Sequence, residues 1–155
     1  MIKPLKVAGS VLLHAWCYSI AHSPTGRCFA VVCGDGTVAV VDSATHTVLH
    51  TIETLCVGGC AFSPDGTLIA AASKMNTIGL WQASTGSAVR SLSGHTDSLN
   101  GFVFTADGKH LISASDDKTA RVWDVASGKQ VSTLSLPDKG YCVDVSALDR
   151  LLVVE

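Results

Sequence analysis

The chain has 155 residues, of which 47% are hydrophobic and 15% charged, and its formal charge is −2. This length gives one domain of ordinary size, and so apolar a composition excludes disorder. The 11 basic residues are scattered singly from Lys3 to Arg150, which excludes a phosphate-neutralising surface, and no stretch approaches the roughly 20 apolar residues of a membrane helix.

At the start, Lys3 and Lys6 precede the apolar run Val7 to Leu13 in the manner of a secretory leader. His14 interrupts the run and Trp16 sits where a small residue would precede cleavage, so no leader is expected. Leu5 to Ala8 reads as an isolated strand. Next come a Ser23-Pro-Thr-Gly26 turn, an apolar strand from Phe29 to Cys33, a Gly34-Asp-Gly36 turn, Val40-Val-Asp42 and a second turn over Asp42 to His46. The order recurs as Ser63-Pro-Asp-Gly66, Leu68 to Ser73, Leu80-Trp-Gln82 and Gln82 to Gly86. It recurs again as Thr105-Ala-Asp-Gly108, Leu111 to Ser115, Val122-Trp-Asp124 and Asp124 to Gly128. Gly26, Gly66 and Gly108 stand 40 and 42 residues apart. Three landmarks in one period define a repeat.

The third unit shows what each repeat is. Leu99 to Phe104 alternates and ends at the Asp107-Gly108 turn, a hairpin signal. His110 to Ser115 follows, then a polar turn at Asp116-Asp117-Lys118. In Thr119 to Asp124, Thr119, Arg121 and Trp123 share one face while Ala120 and Val122 share the other. Lys129 to Leu134 closes the unit after Ser127-Gly128. Each unit is therefore four strands, and its second strand is small or apolar on both faces. Such a strand must be covered on both sides. Four-stranded sheets stacked about an axis meet that demand, so the predicted fold is an all-β propeller with three full blades and a partial fourth. The units run over about 14–52, 54–93, 95–135 and 140–155, within one domain spanning 1–155.

Gly94-His95, Ala106-Asp-Gly108, Ser113-Ala-Ser-Asp-Asp-Lys-Thr119 and Trp123-Asp124 together resemble a WD repeat, and the similarity extends over residues 5 to 155. The resemblance implies a buried hydrogen-bond tetrad of His95, Ser113, Asp117 and Trp123. It also implies a scaffold or adaptor that presents a rigid surface to other proteins in a multiprotein complex. In that family the residue before the turn aspartate faces the upper binding surface; here those positions are Gly34, Lys74 and Asp116, which makes Lys74 and Asp116 candidate protein contacts. The other units depart from the pattern. Unit two keeps Trp81 but has Met75 and Ala71 in the Asp and Ser slots; unit one keeps Asp35 but has Val31 and Val41 for Ser and Trp, with His14 in place of the missing His. Those blades are expected to rest on apolar packing. The stretch Leu134 to Val145 resembles the blade junction of the mRNA-export and mitotic-checkpoint branch, which makes such an adaptor one alternative.

Fifteen strands are read in all, the last two being Tyr141 to Val145 and Leu151 to Val154. Seven-bladed relatives need roughly 300 residues at ~40–45 per blade. A fragment of a longer chain, a head-to-tail homodimer and a half-propeller completed by another protein all fit this count, and an end in mid-blade favours the first.

The other chemistry-bearing residues have plainer readings. Ser113, His95 and Asp117 also suggest a propeller-fold hydrolase, but no Gly-x-Ser-x-Gly elbow exposes the serine. Gly34-Asp-Gly36 lacks the following helix of a phosphate loop. His22, His46, His50 and His110 lack metal-ligand spacing, and His46 and His50 are expected at the surface. Asp65, Asp107, Asp116 and Asp117 are turn formers. Cys17, Cys28, Cys33, Cys56, Cys60 and Cys142 form no CxxC and mostly sit in apolar runs, so free thiols in an intracellular compartment, cytoplasmic or nuclear, are expected. No catalytic residue, cofactor or metal is expected. The expected partners are proteins or peptides, including self-association or a partner that completes the ring, with no membrane or direct nucleic acid.

Overall fold

The computed structural model describes residues 11, 13, 15–55, 58–146 and 151–154. Blade one comprises β1 (Cys17–His22), β2 (Cys28–Cys33), β3 (Thr37–Asp42) and β4 (Val48–Glu53). Blade two comprises β5 (Cys60–Phe62), β6 (Leu68–Ser73), β7 (Thr77–Gln82) and β8 (Ala88–Leu92); blade three comprises β9 (Leu99–Phe104), β10 (His110–Ser115), β11 (Thr119–Asp124) and β12 (Gln130–Ser135). A two-stranded sheet of β13 (Cys142–Val145) and β14 (Leu151–Val154) follows. Every pairing is antiparallel between chain neighbours, so each sheet is a meander. A single 3-10 turn at Lys74–Asn76 joins β6 to β7. The strand expected at Leu5 to Ala8, and His14, lie outside the described residues.

Local chemistry fixes the hairpins. In the first turn of blades two and three, Ser63 Oγ and Thr105 Oγ1 accept the Leu68 and His110 N–H at 2.9 and 3.0 Å. Asp65 and Asp107 cap the Thr67 and Lys109 N–H, both at 3.0 Å, while Gly66 and Gly108 take the left-handed φ of 72° and 69° that closes the turn. The turn between third and fourth strands ends on Gly86 and Gly128 at φ 71° and 74°; in blade one His46 holds that place at 58°.

The sheets bury both faces against one another. Ala30, Val32, Val38, Val40 and Ile52 of blade one meet Phe62, Ile69, Ala71 and Trp81 of blade two. The opposite face of blade two, with Ala70, Ile78, Leu80 and Leu92, meets Leu99, Phe102, Leu111 and Trp123. Ile112 and Ala114 then meet Val143. Each fully buried aliphatic side chain contributes about 1.5–3 kcal/mol. The Cys60 thiol lies inside the first interface, where burial pushes its pKa up to about 11. Innermost strands lie side by side in the order β1, β5, β9, β13, and a Cβ on Gly59 would stand 2.6 Å from the Asn100 carbonyl oxygen. Only glycine lets the inner strands converge this closely. Outermost strands β4, β8 and β12 are largely exposed. The free face of blade one is covered in part by Val11, Leu13 and Ala15 over Val31, Cys33, Ala39 and Val41, and leaves Tyr18 and Ile20 exposed.

Candidate functional site

The turns between second and third strands share one end of the molecule, the upper face, with the connections from blade to blade. Backbone bonds tie the two sets together: Thr54 N–H to Gly36 O at 3.0 Å, Asp116 N–H to Ser98 O at 2.9 Å, and Leu136 N–H to Lys118 O at 2.8 Å.

In blade three these loops are bound down by side chains. His95 Nδ1 lies 2.7 Å from Asp117 Oδ2, His95 Nε2 lies 2.8 Å from Ser113 Oγ, and Trp123 Nε1–H donates to the same Oγ at 2.8 Å. Burial holds the His95 ring below its ordinary 6.5, against the pull of Asp117. The neutral ring therefore donates from Nδ1 to the carboxylate and accepts the serine O–H at Nε2, so all four groups are satisfied. Burial alone would raise the Asp117 carboxyl, but hydrogen bonds from Thr119, His95 and the Thr96 N–H outweigh it and hold the pKa low. The Arg121 guanidinium adds a contact at 3.5 Å.

The structure separates the two candidate contact residues. Lys74 is exposed on the 3-10 turn of blade two. Asp116 is engaged within the chain: Asn100 Nδ2 donates to Oδ1 at 2.7 Å and Lys139 Nζ to Oδ2 at 2.8 Å, which lowers the carboxyl pKa and raises that of Lys139. Lys118 pairs with Asp138 at 3.4 Å.

Among the described residues blades one and two carry no such tetrad; in blade one the Thr54 hydroxyl donates to the Gly36 carbonyl at 2.9 Å, and sequence reasoning passed over what else these blades carry. Trp16, Leu55 and Met75 are 78, 53 and 91% exposed. Leu55, Met75 and Asn76 adopt left-handed φ of 58°, 55° and 55°, a strained setting for side chains other than glycine. Leu55 and Asn76 line a recess of about 410 Å³, together with Asp35, Ala72, Ser73 and Ser98 among others. The signal available in the sequence was the aromatic Trp16 just ahead of β1 and an apolar Met75 in a polar turn slot.

His50, expected at the surface, is half-buried with Nε2 enclosed and without a hydrogen-bond partner among the described residues, because Gly86 leaves room for its ring. Among the described residues, no three His, Cys, Asp or Glu side chains gather as a metal-ligand set, and no helix is long and apolar enough to cross a membrane.

The model for the family described as WD domain, G-beta repeat matches residues 7–42, 46–82 and 86–124. No curated protein matches the chain. Among solved structures the chain is similar to one described as "Structure of U3-55K", at 20% identity and a TM-score of 0.79, over 91% of this chain and 52% of the other. It is also similar to "Crystal structure of RRP9 WD40 repeats", at 20% identity and a TM-score of 0.79, over 91% of this chain and 51% of that one. The chain thus spans about half the length of either, and the likeness is one of fold.

Proposed function

The chain belongs to the WD domain, G-beta repeat family, and from that premise we propose that its upper face over blades one and two is the contact surface of a protein-interaction scaffold. WD-repeat propellers are in general non-catalytic interaction scaffolds. The observation that carries the reading is the contrast on the upper face: blade three closes its loops on one another through side chains, while an open recess in blades one and two is lined by Leu55 and Asn76 on left-handed backbone, with Met75 exposed next to Asn76 in sequence. Lys74, exposed and lying in sequence between the lining residues Ser73 and Asn76, is a contact residue; Asp116 contributes through the loop it holds with Asn100 and Lys139.

The tetrad of His95, Ser113, Asp117 and Trp123 is a structural latch on this reading, and the chain is no enzyme. Ser113 is fully enclosed, with its oxygen already between the His95 ring and the Trp123 indole, so a substrate carbonyl has no approach. Cys17, Cys28, Cys33, Cys60 and Cys142 are free thiols, which supports an intracellular setting.

A second reading concerns assembly. Blade two receives blade one on its Phe62–Ile69–Trp81 face, whereas the equivalent face of blade one leaves Tyr18 and Ile20 exposed. A further blade, from a longer form of the chain, a partner or a second copy, docks there and extends the ring. The test of the main proposal is retention of proteins from lysate by the immobilised chain. The double charge reversal Lys74→Glu, Asp116→Lys is expected to abolish it, and the opposite-face reversal Arg27→Glu to leave it intact. Equal retention by all three, with unchanged circular dichroism, contradicts the proposal. Light scattering of wild type against Ile20→Lys tests the assembly: loss of the larger species is expected, and an identical mass in both contradicts it.

A further inference from the structure

Asp35 and Trp16 stand together at the edge of the upper recess. The Gly34 N–H donates to the Trp16 carbonyl at 2.8 Å, and a Cβ on Gly34 would strike the Cδ1–Nε1 edge of the indole ring. Glycine at this position is what lets the ring lie across the β2–β3 turn, and the ring still remains largely open to solvent. Asp35 follows directly. Its Oδ1 accepts the Thr37 N–H at 3.0 Å and hydroxyl at 2.7 Å, which fixes the carboxylate, while Oδ2 has no partner among the described residues. The acids at the same turn in blade three are neutralised by Lys139 and Arg121; Asp35 has no ion pair among the described residues.

Two recesses meet at this carboxylate. One, of about 400 Å³, is walled by Leu13, Ala15, Trp16, Gly34 and Asp35; the other is the 410 Å³ recess with Leu55, Ala72 and Leu99 on its wall. Among the described residues no Lys, Arg or His lines either, and Asp35 is the one ionisable group of both. An exposed indole face beside an anchored, uncompensated carboxylate is complementary to a planar cation, which stacks on the ring while donating to the free oxygen. The apolar wall on the far side is complementary to an aliphatic side chain.

We propose that Trp16 and Asp35 form an arginine clamp, which takes the guanidinium of an extended peptide segment in a partner protein and seats a neighbouring aliphatic residue against Leu55, Ala72 and Leu99. The clamp rests on the assignment of the upper face as the contact surface and names the chemistry of what binds there. Arginine is favoured over lysine because only the guanidinium is flat enough to lie on the indole and still reach Oδ2.

A random heptapeptide display library selected on the full chain tests this. Enriched peptides are expected to carry arginine next to, or one residue away from, Leu, Ile or Val. Asp35→Asn, Trp16→Ala, and replacement of the peptide arginine by the neutral isostere citrulline should each weaken binding about tenfold or more. Trp81 and Trp123 are buried, so their blue-shifted emission reports that each variant is folded. Peptides without a basic residue, failure to enrich any peptide, or full affinity in folded Asp35→Asn would overturn the clamp. Binding lost on reversal of Lys74 but unchanged in Asp35→Asn rejects the clamp alone; binding indifferent to both rejects the upper-face assignment as well.

Discussion

Blades two and three share a plan, a turn chemistry and a tryptophan at the same register, yet each holds that tryptophan differently. Trp123 is sealed at 0% exposure and its N–H is bonded to Ser113 in a chain that runs through His95 to Asp117. Trp81 lies over Gly79, where a Cβ would strike its ring, and its N–H has no acceptor among the described residues. Blade two has Ala71 and Met75 where blade three has Ser113 and Asp117, so apolar packing alone must hold it. One repeat is fastened and the next is free at its upper loops, and a partner can only use loops that are free.

The largest difference should appear at the two matched turn positions. Asp117→Ala orphans donors on His95, Thr96 and Thr119, and urea unfolding should show a loss of about 3 kcal/mol or more. Met75→Ala, at an exposed site, should change stability by less than about 0.5 kcal/mol. Equal losses would remove the distinction between the blades. Next in size, Trp123→Phe should cost about 1 kcal/mol more than Trp81→Phe, because only the former leaves a buried hydroxyl short of a donor.

Acidity should act on the same blade. The folded His95 pKa lies below 6.5, so the unfolded chain takes up the proton first as pH falls. Stability is complete above that value and declines below it through the folded pKa; Asp117, held below 3.8, adds its own loss at still lower pH. Amide protection factors, corrected for the intrinsic exchange rate and followed from pH 7.5 to 5.5, should fall in β9–β12 before β5–β8, and the reverse order would contradict the neutral-His assignment. The smallest effect is a gain: Met75→Gly relieves a left-handed φ of 55° and should raise stability by about 0.5–1 kcal/mol while weakening partner binding.

The repeat, the strands and the four tetrad positions were legible because they are carried by local order and fixed spacing, such as Asp-Gly turns and alternation between them. The structure places His95 within hydrogen-bond distance of Asp117 and Ser113, and Trp123 within that distance of Ser113. What could not be read depends on pairs brought together by the stacking of blades. Asp116 looks as free as Lys74 in the sequence, and only the fold delivers Asn100 and Lys139 to it. Trp16 over Gly34 joins residues 18 positions apart in no repeated pattern, and the left-handed backbone at Leu55 and Met75 occurs in residues that do not signal it. His50 escaped for the same reason, since its cover comes from Gly86 in the neighbouring blade.

The central claim is that blade three is locked by its buried tetrad while the upper loops of blades one and two stay open for a partner. Amide hydrogen exchange on the free chain, resolved by segment, tests it most directly. Slow exchange is expected at 95–99 and 115–119 and fast exchange at 73–77, with the difference erased by Asp117→Ala. Uniform protection across these loops, or a pattern that Asp117→Ala leaves unchanged, would contradict it.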